Sequence, residues 1–122
     1  MHIEKTQLFA ALSNETRLRC LHLLATNGEL CVCELVDALQ ITQPSVSKAL
    51  NSLKSAGLLS DRRDANWIYY RLNPDLPAWI ATVLEATITD LGNCNDYLAD
   101  QNRFKRLAVR VRGAACSATE QT

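Results

Sequence analysis

Two thiols stand one residue apart in ELCVCEL, at Cys31 and Cys33. Thiolates are soft ligands that select thiophilic ions over magnesium or calcium. A two-residue step along a helix turns side chains far apart, so within a helix both sulfurs meet one small ligand only if its first turn bends or unwinds. The other cysteines, Cys20, Cys94 and Cys116, bring the count to five. An odd number at irregular spacing argues against a disulfide framework. Enzymatic use of the thiols is not expected either. The chain has no C-x-x-C pair beside a βαβ unit, no nucleophile with an evident His or Asp orienter, and no phosphate-cradling glycine loop.

A second set of side chains is suited to polar contacts. Gln43, Ser45, Ser47, Lys48, Asn51, Ser52 and Lys54 share one face of a helical pattern, and Arg62 and Arg63 follow shortly after. The formal net charge is zero, from 13 basic and 13 acidic residues, which by itself does not point to a nucleic-acid partner. Its distribution does. Lys48, Lys54, Arg62, Arg63 and Arg71 face only Asp61 and Asp64 between positions 43 and 73, whereas five acids and no Lys or Arg lie between Asp75 and Asp100. Taken alone, each charged stretch reads as a solvated face.

The elements that must position these groups follow from periodicity and punctuation. A first helix is expected over about Ile3–Leu12, and a second, capped by Ser13 or Asn14, runs to about Thr26, where Asn27-Gly28 stops it. A short third helix covers about Cys31–Leu39. A fourth begins after Thr42, with Pro44 in its first turn, Val46, Ala49, Leu50 and Leu53 on its apolar face, and Gly57 at its end. In LLSDRRDANWIYYRLN, two alternating runs flank Asp64-Ala65-Asn66, which predicts a β-hairpin with Arg62 and Arg63 near its tip. After Pro77 a long helix carries Ile80, Val83, Leu84, Ile88 and Leu91 as an apolar stripe, breaks at Gly92 and resumes to about Arg112. One domain is expected over 1–112, with a flexible tail over 113–122. No apolar run approaches membrane-spanning length and the N-terminus has no signal core, so a cytoplasmic location is expected.

Helix, short helix, turn, polar-faced helix and basic hairpin form the order of a winged helix-turn-helix: mainly α with a small β-hairpin. In that arrangement the polar-faced helix enters the major groove and the hairpin reaches the flanking backbone or minor groove. Gln43, Ser45, Ser47 and Asn51 are then candidates for base edges or phosphates, and Lys48, Lys54, Arg62 and Arg63 for phosphates.

The segments LSNETRLRCLHLL, ELCVCELVDAL, TQPSVSKALNSLKSAGLL and WIYYRL resemble the ArsR/SmtB family of metal-responsive repressors over about Ile3–Leu91. The resemblance implies a homodimer, paired through its first and last helices, that binds a palindromic operator in double-stranded DNA without any metal and leaves it when an inducer binds. It implies residues 43–54 as recognition helix and 62–66 as wing tip. ELCVCEL resembles the sensing site of the arsenic- and antimony-responsive members, which implies Cys31 and Cys33 as ligands to As(III) or Sb(III). One departure stands out: Val36 occupies the place of a third cysteine. The third ligand is then Cys94, Cys116, a small thiol, water or nothing, and methylarsenite, needing two sulfurs, also suits. Cys20 is expected to be core filler and His22 a partly exposed helix residue. Two alternatives remain. One is a thiol-redox repressor, ranked lower because cysteines two apart on a helix make a strained disulfide; the other is a cadmium or lead sensor.

Overall fold

The computed structural model describes residues 2–111, with only the backbone described for 108–111. The expected domain boundary at 112/113, the tail and Cys116 lie outside the described residues. Helix α1 (Lys5–Leu12) begins at a Glu4/Gln7 capping box. Helix α2 (Glu15–Asn27) is capped by Asn14, whose side-chain oxygen accepts the Arg17 N–H at 3.0 Å. It stops at Gly28, whose φ of 85° a glycine adopts without steric cost. A two-residue strand β1 (Leu30–Cys31) leads into α3 (Val32–Leu39). Gln40 then turns the chain in the left-handed region, at φ 59° and ψ 40°. Thr42 caps α4 (Gln43–Ser55), accepting the Ser45 N–H on Oγ1, and Pro44 sits in its first turn, where no N–H is needed.

The hairpin is β2 (Leu59–Asp64) and β3 (Trp67–Leu72), and β1 joins it to make an antiparallel sheet of order β1-β3-β2. The turn is Ala65-Asn66, with Ala65 at φ 58°. Arg63 pairs with Ile68 and Arg62 with Tyr69, one and two rungs in from the Asp64–Trp67 pair next to the turn. Helices α5 (Ala78–Leu91) and α6 (Asn95–Val111) follow, separated at Gly92. The mainly α architecture with its small hairpin is that of a winged helix-turn-helix. Its core is built from Leu8, Leu21, Leu24, Leu35, Leu39, Val46, Leu50, Leu53 and Ile80, all fully buried or nearly so.

Two expectations are corrected. The third helix begins at Val32, not Cys31. Cys31 is extended (φ −92°, ψ 168°) because it pairs with Tyr69 of β3, a contact 38 positions away that local periodicity does not register. The acidic run is not wholly a solvated face, since Asp100 is completely buried. Its carboxylate accepts two bonds from Arg19 of α2 (2.9 and 2.7 Å) and one from Arg103 (2.7 Å). The same guanidinium groups donate to the last carbonyls of α3, Arg19 to Leu39 at 2.8 Å and Arg103 to Ala38 at 2.7 Å. Cations at a helix C-terminus satisfy carbonyls that lack intrahelical partners. Helix α6 and Arg19 thus pin the end of α3 that leads into α4.

Candidate functional site

The thiol pair sits at the junction of β1 and α3. Because Cys31 is the residue before the first helical one, its side chain swings back toward Cys33, and the two sulfurs stand 2.8 Å apart. No unwinding is needed to bring them together, which corrects the expectation drawn from a fully helical segment. The N-terminus of α3 is closed by a reciprocal arrangement in which the Cys31 sulfur accepts the Glu34 N–H and the Glu34 carboxylate accepts the Cys31 N–H at 3.0 Å. An electronegative sulfur suits this place, where exposed N–H groups and the helix dipole favour negative charge. Cys31 is 3% and Cys33 7% exposed, and the side chains packed over them are Trp67 and Tyr69 of β3.

The sheet register extends this site into the hairpin. Cys31 of β1, Tyr69 of β3 and Arg62 of β2 lie opposite one another in a single row. The Arg62 guanidinium stands 4.8 Å from the Tyr69 ring centroid. It also grips Glu29, two residues before Cys31, through Nε at 2.9 and 2.8 Å and Nη2 at 2.8 Å. That carboxylate raises the Arg62 pKa further above its ordinary value. Sequence reasoning missed Glu29, Trp67 and Tyr69 as parts of the site, since only strand pairing brings them to it.

Among the described residues the other two cysteines do not join the pair. Cys20 is buried in the core as expected, and burial pushes its thiol up to about 12. Cys94 is exposed between α5 and α6, its sulfur 3.7 Å from the Asp90 carbonyl. No group of three His, Cys, Asp or Glu side chains suited to a metal ion occurs among the described residues. His22 is not partly exposed as expected but 4% exposed, edge-on to Tyr97 at 5.6 Å, and desolvation lowers its pKa.

The polar face of α4 is exposed at Ser45, Lys48, Asn51, Ser52 and Lys54 and half-buried at Gln43 and Ser47. Lys54 is engaged by Asp61 at 2.8 Å, and Arg62 by Glu29. Among the described residues Lys48 and Arg63 make no ion pair. A cleft of about 240 Å³ between α4 and the start of α2 is lined by Asn14, Thr16, Arg17, Ser45, Lys48 and Ser52. Arg17 is committed there to the C-terminal carbonyls of α1, at Ala11 and Ala10. No described helix is long and apolar enough to cross a membrane.

The chain is similar to known proteins over most of its length. Residues 14–61 match the family described as bacterial regulatory protein, arsR family. The chain is 46% identical to the arsenic resistance transcriptional regulator ArsR2 of Pseudomonas putida over 116 residues, covering 93% of this chain and 98% of that protein. It is 48% identical to the arsenical resistance operon repressor of Escherichia coli over 79 residues, or 65% of this chain and 68% of that one. Among solved structures, the AntR antimony-specific transcriptional repressor superposes with a TM-score of 0.58 at 34% identity, covering 72% of this chain and 77% of that chain. The BigR repressor of Xylella fastidiosa gives 0.60 at 33% identity, covering 69% and 79%.

Proposed function

The chain belongs to the arsR family of bacterial regulatory proteins, and from that premise we propose that it is a homodimeric repressor that leaves its operator when trivalent arsenic or antimony binds Cys31 and Cys33. The observation that carries the reading is the contact of two buried sulfurs at 2.8 Å inside a winged helix-turn-helix. Binding is an exchange without redox change. Each thiol replaces one hydroxide on the metalloid, and two waters leave with the thiol protons. With thiolate bonds of about 2.3 Å, as for zinc, two sulfurs on one centre stand roughly 3.5 Å apart. The pair must therefore open by roughly 0.7 Å, a small displacement for a preformed site.

DNA is read by α4, with Gln43, Ser45, Ser47 and Asn51 at base edges or phosphates and Lys48, Lys54, Arg62 and Arg63 at phosphates. Lys48 and Arg63 are ready for this role. Lys54 and Arg62 must first exchange Asp61 and Glu29 for phosphate. No metal is needed for DNA binding on this reading, and the metalloid is the inducer.

A thiol-redox repressor is the second reading, and the same contact strengthens it: Cys31 is not helical, so the strain that counted against linking the two sulfurs falls away. The test separates the two. A duplex selected with the protein from a random pool is followed by fluorescence anisotropy, in reductant, while arsenite, antimonite or methylarsenite is added to wild type, Cys31→Ser and Cys33→Ser. Release from wild type alone is expected. Release by peroxide but by no metalloid would replace the metalloid reading with the redox one, and loss of DNA binding in the serine variants would make the cysteines structural.

A further inference from the structure

We infer that Trp67 and Tyr69 are positioning residues of the thiol site: they close over it, and seating the inducer displaces them, so that release of DNA passes through the wing. The inference rests on the function proposed above.

Three observations converge. First, access: with Cys31 3% and Cys33 7% exposed under Trp67 and Tyr69, a metalloid reaches the sulfurs only if these side chains move. Second, register: Cys31, Tyr69 and Arg62 form one row across β1-β3-β2, and side chains directly opposite on neighbouring strands are in contact range. Arg62 is further tied to Glu29, the residue immediately before β1. A displacement of Cys31 and Tyr69 therefore reaches the guanidinium that the wing presents to DNA. Third, the competing route is held. The end of α3 that leads into α4 is anchored by Arg19 and Arg103 at the Leu39 and Ala38 carbonyls, with Asp100 between them. Spreading of the sulfurs meets a fixed helix on one side and a strand pair of two residues on the other. The weaker boundary yields, and that boundary is the one with the wing.

Coupling of this kind needs an element that both sites bias, and the β1-β3 pairing is that element. The test uses the intact protein with Trp79→Phe, which leaves Trp67 as the sole tryptophan of the chain's two. Antimonite or phenylarsine oxide should change Trp67 emission at one equivalent per protomer, and Cys31→Ser should abolish the change. In the same background Tyr69→Leu should bind DNA and inducer yet lose roughly tenfold or more of the inducer-dependent fall in operator affinity. Tyr69→Phe, which keeps the ring, should retain the full fall and shows that the position tolerates change. Full release by Tyr69→Leu, or silent Trp67 emission while the inducer binds, would overturn the wing route. Absence of inducer binding to wild type would instead overturn the sensing function itself.

Discussion

Replacing Asp100 with alanine should unfold the protein at a much lower temperature than its place in an acidic stretch suggests. The carboxylate is fully buried and accepts three short bonds, while Arg19 and Arg103 are 19% and 28% exposed on their side chains. Asp100 holds the Arg19 guanidinium above its ordinary pKa through the hydrogen bond between them. Removal leaves two guanidinium groups facing each other around an unfilled volume, with only the α3 carbonyls still bonded. Breaking a buried pair by deleting one partner costs about 3–5 kcal/mol. The arginines can turn partly to water, so the lower figure applies, about 3 kcal/mol. For a domain of this size that is roughly 10–15 °C in Tm. The assay is circular dichroism melting at one fixed protein concentration, since dimerisation makes Tm concentration-dependent. Asp100→Asn, which keeps acceptor capacity, should fall between. Lys54→Ala, which breaks an exposed ion pair, should barely move the curve. A Tm for Asp100→Ala within about 3 °C of wild type would refute the reasoning and leave α6 as a loosely docked helix.

Two further outcomes follow from individual side chains. Desolvation holds the His22 pKa below the unfolded value of about 6.5. The unfolded chain therefore takes up the proton first, and the stability that depends on neutral His22 is full above that pH and is lost as pH falls through it. Melting between pH 7.5 and 5.5 should show a steeper acid-side decline for wild type than for His22→Phe; equal slopes would remove His22 from the acid response. Lys48→Ala should weaken operator binding and lower the salt dependence by about one ion, and an unchanged log–log slope would place Lys48 away from phosphates.

The helix that presents the DNA-reading face was legible from sequence because every signal for it is local. Thr42, Pro44, the Val46-Ala49-Leu50-Leu53 spacing and Gly57 all lie within one short segment, and the structure places α4 between the expected ends. The hairpin was legible for the same reason, since the turn residues Asp64-Ala65-Asn66 and the strand-like runs on either side of them are contiguous in sequence, although burial along β2 and β3 does not alternate. What escaped reading depends on partners far along the chain. Cys31 leaves the helix because of Tyr69, Arg62 is held by Glu29, and Asp100 is buried by Arg19, 81 positions away. Composition placed Asp100 with its acidic neighbours, although α6 turns it inward. His22 had no helical signal distinguishing it from an exposed residue, and Tyr97, on a helix beyond the Gly92 break, packs edge-on against it.

The burial of the sulfurs also sets a clock and a filter. Since the thiols are reached only when the wing aromatics lift, the rate of capture at high inducer concentration levels off at the rate of lifting. Speed of response then belongs to the protein rather than to the toxicant. Disulfide exchange requires an approaching molecule to reach the sulfur along with its own bulk. Passage beneath the two rings therefore favours a compact metalloid over a bulky disulfide. The same two rings that delay the signal therefore keep the sensor readable in a solution crowded with other thiol chemistry.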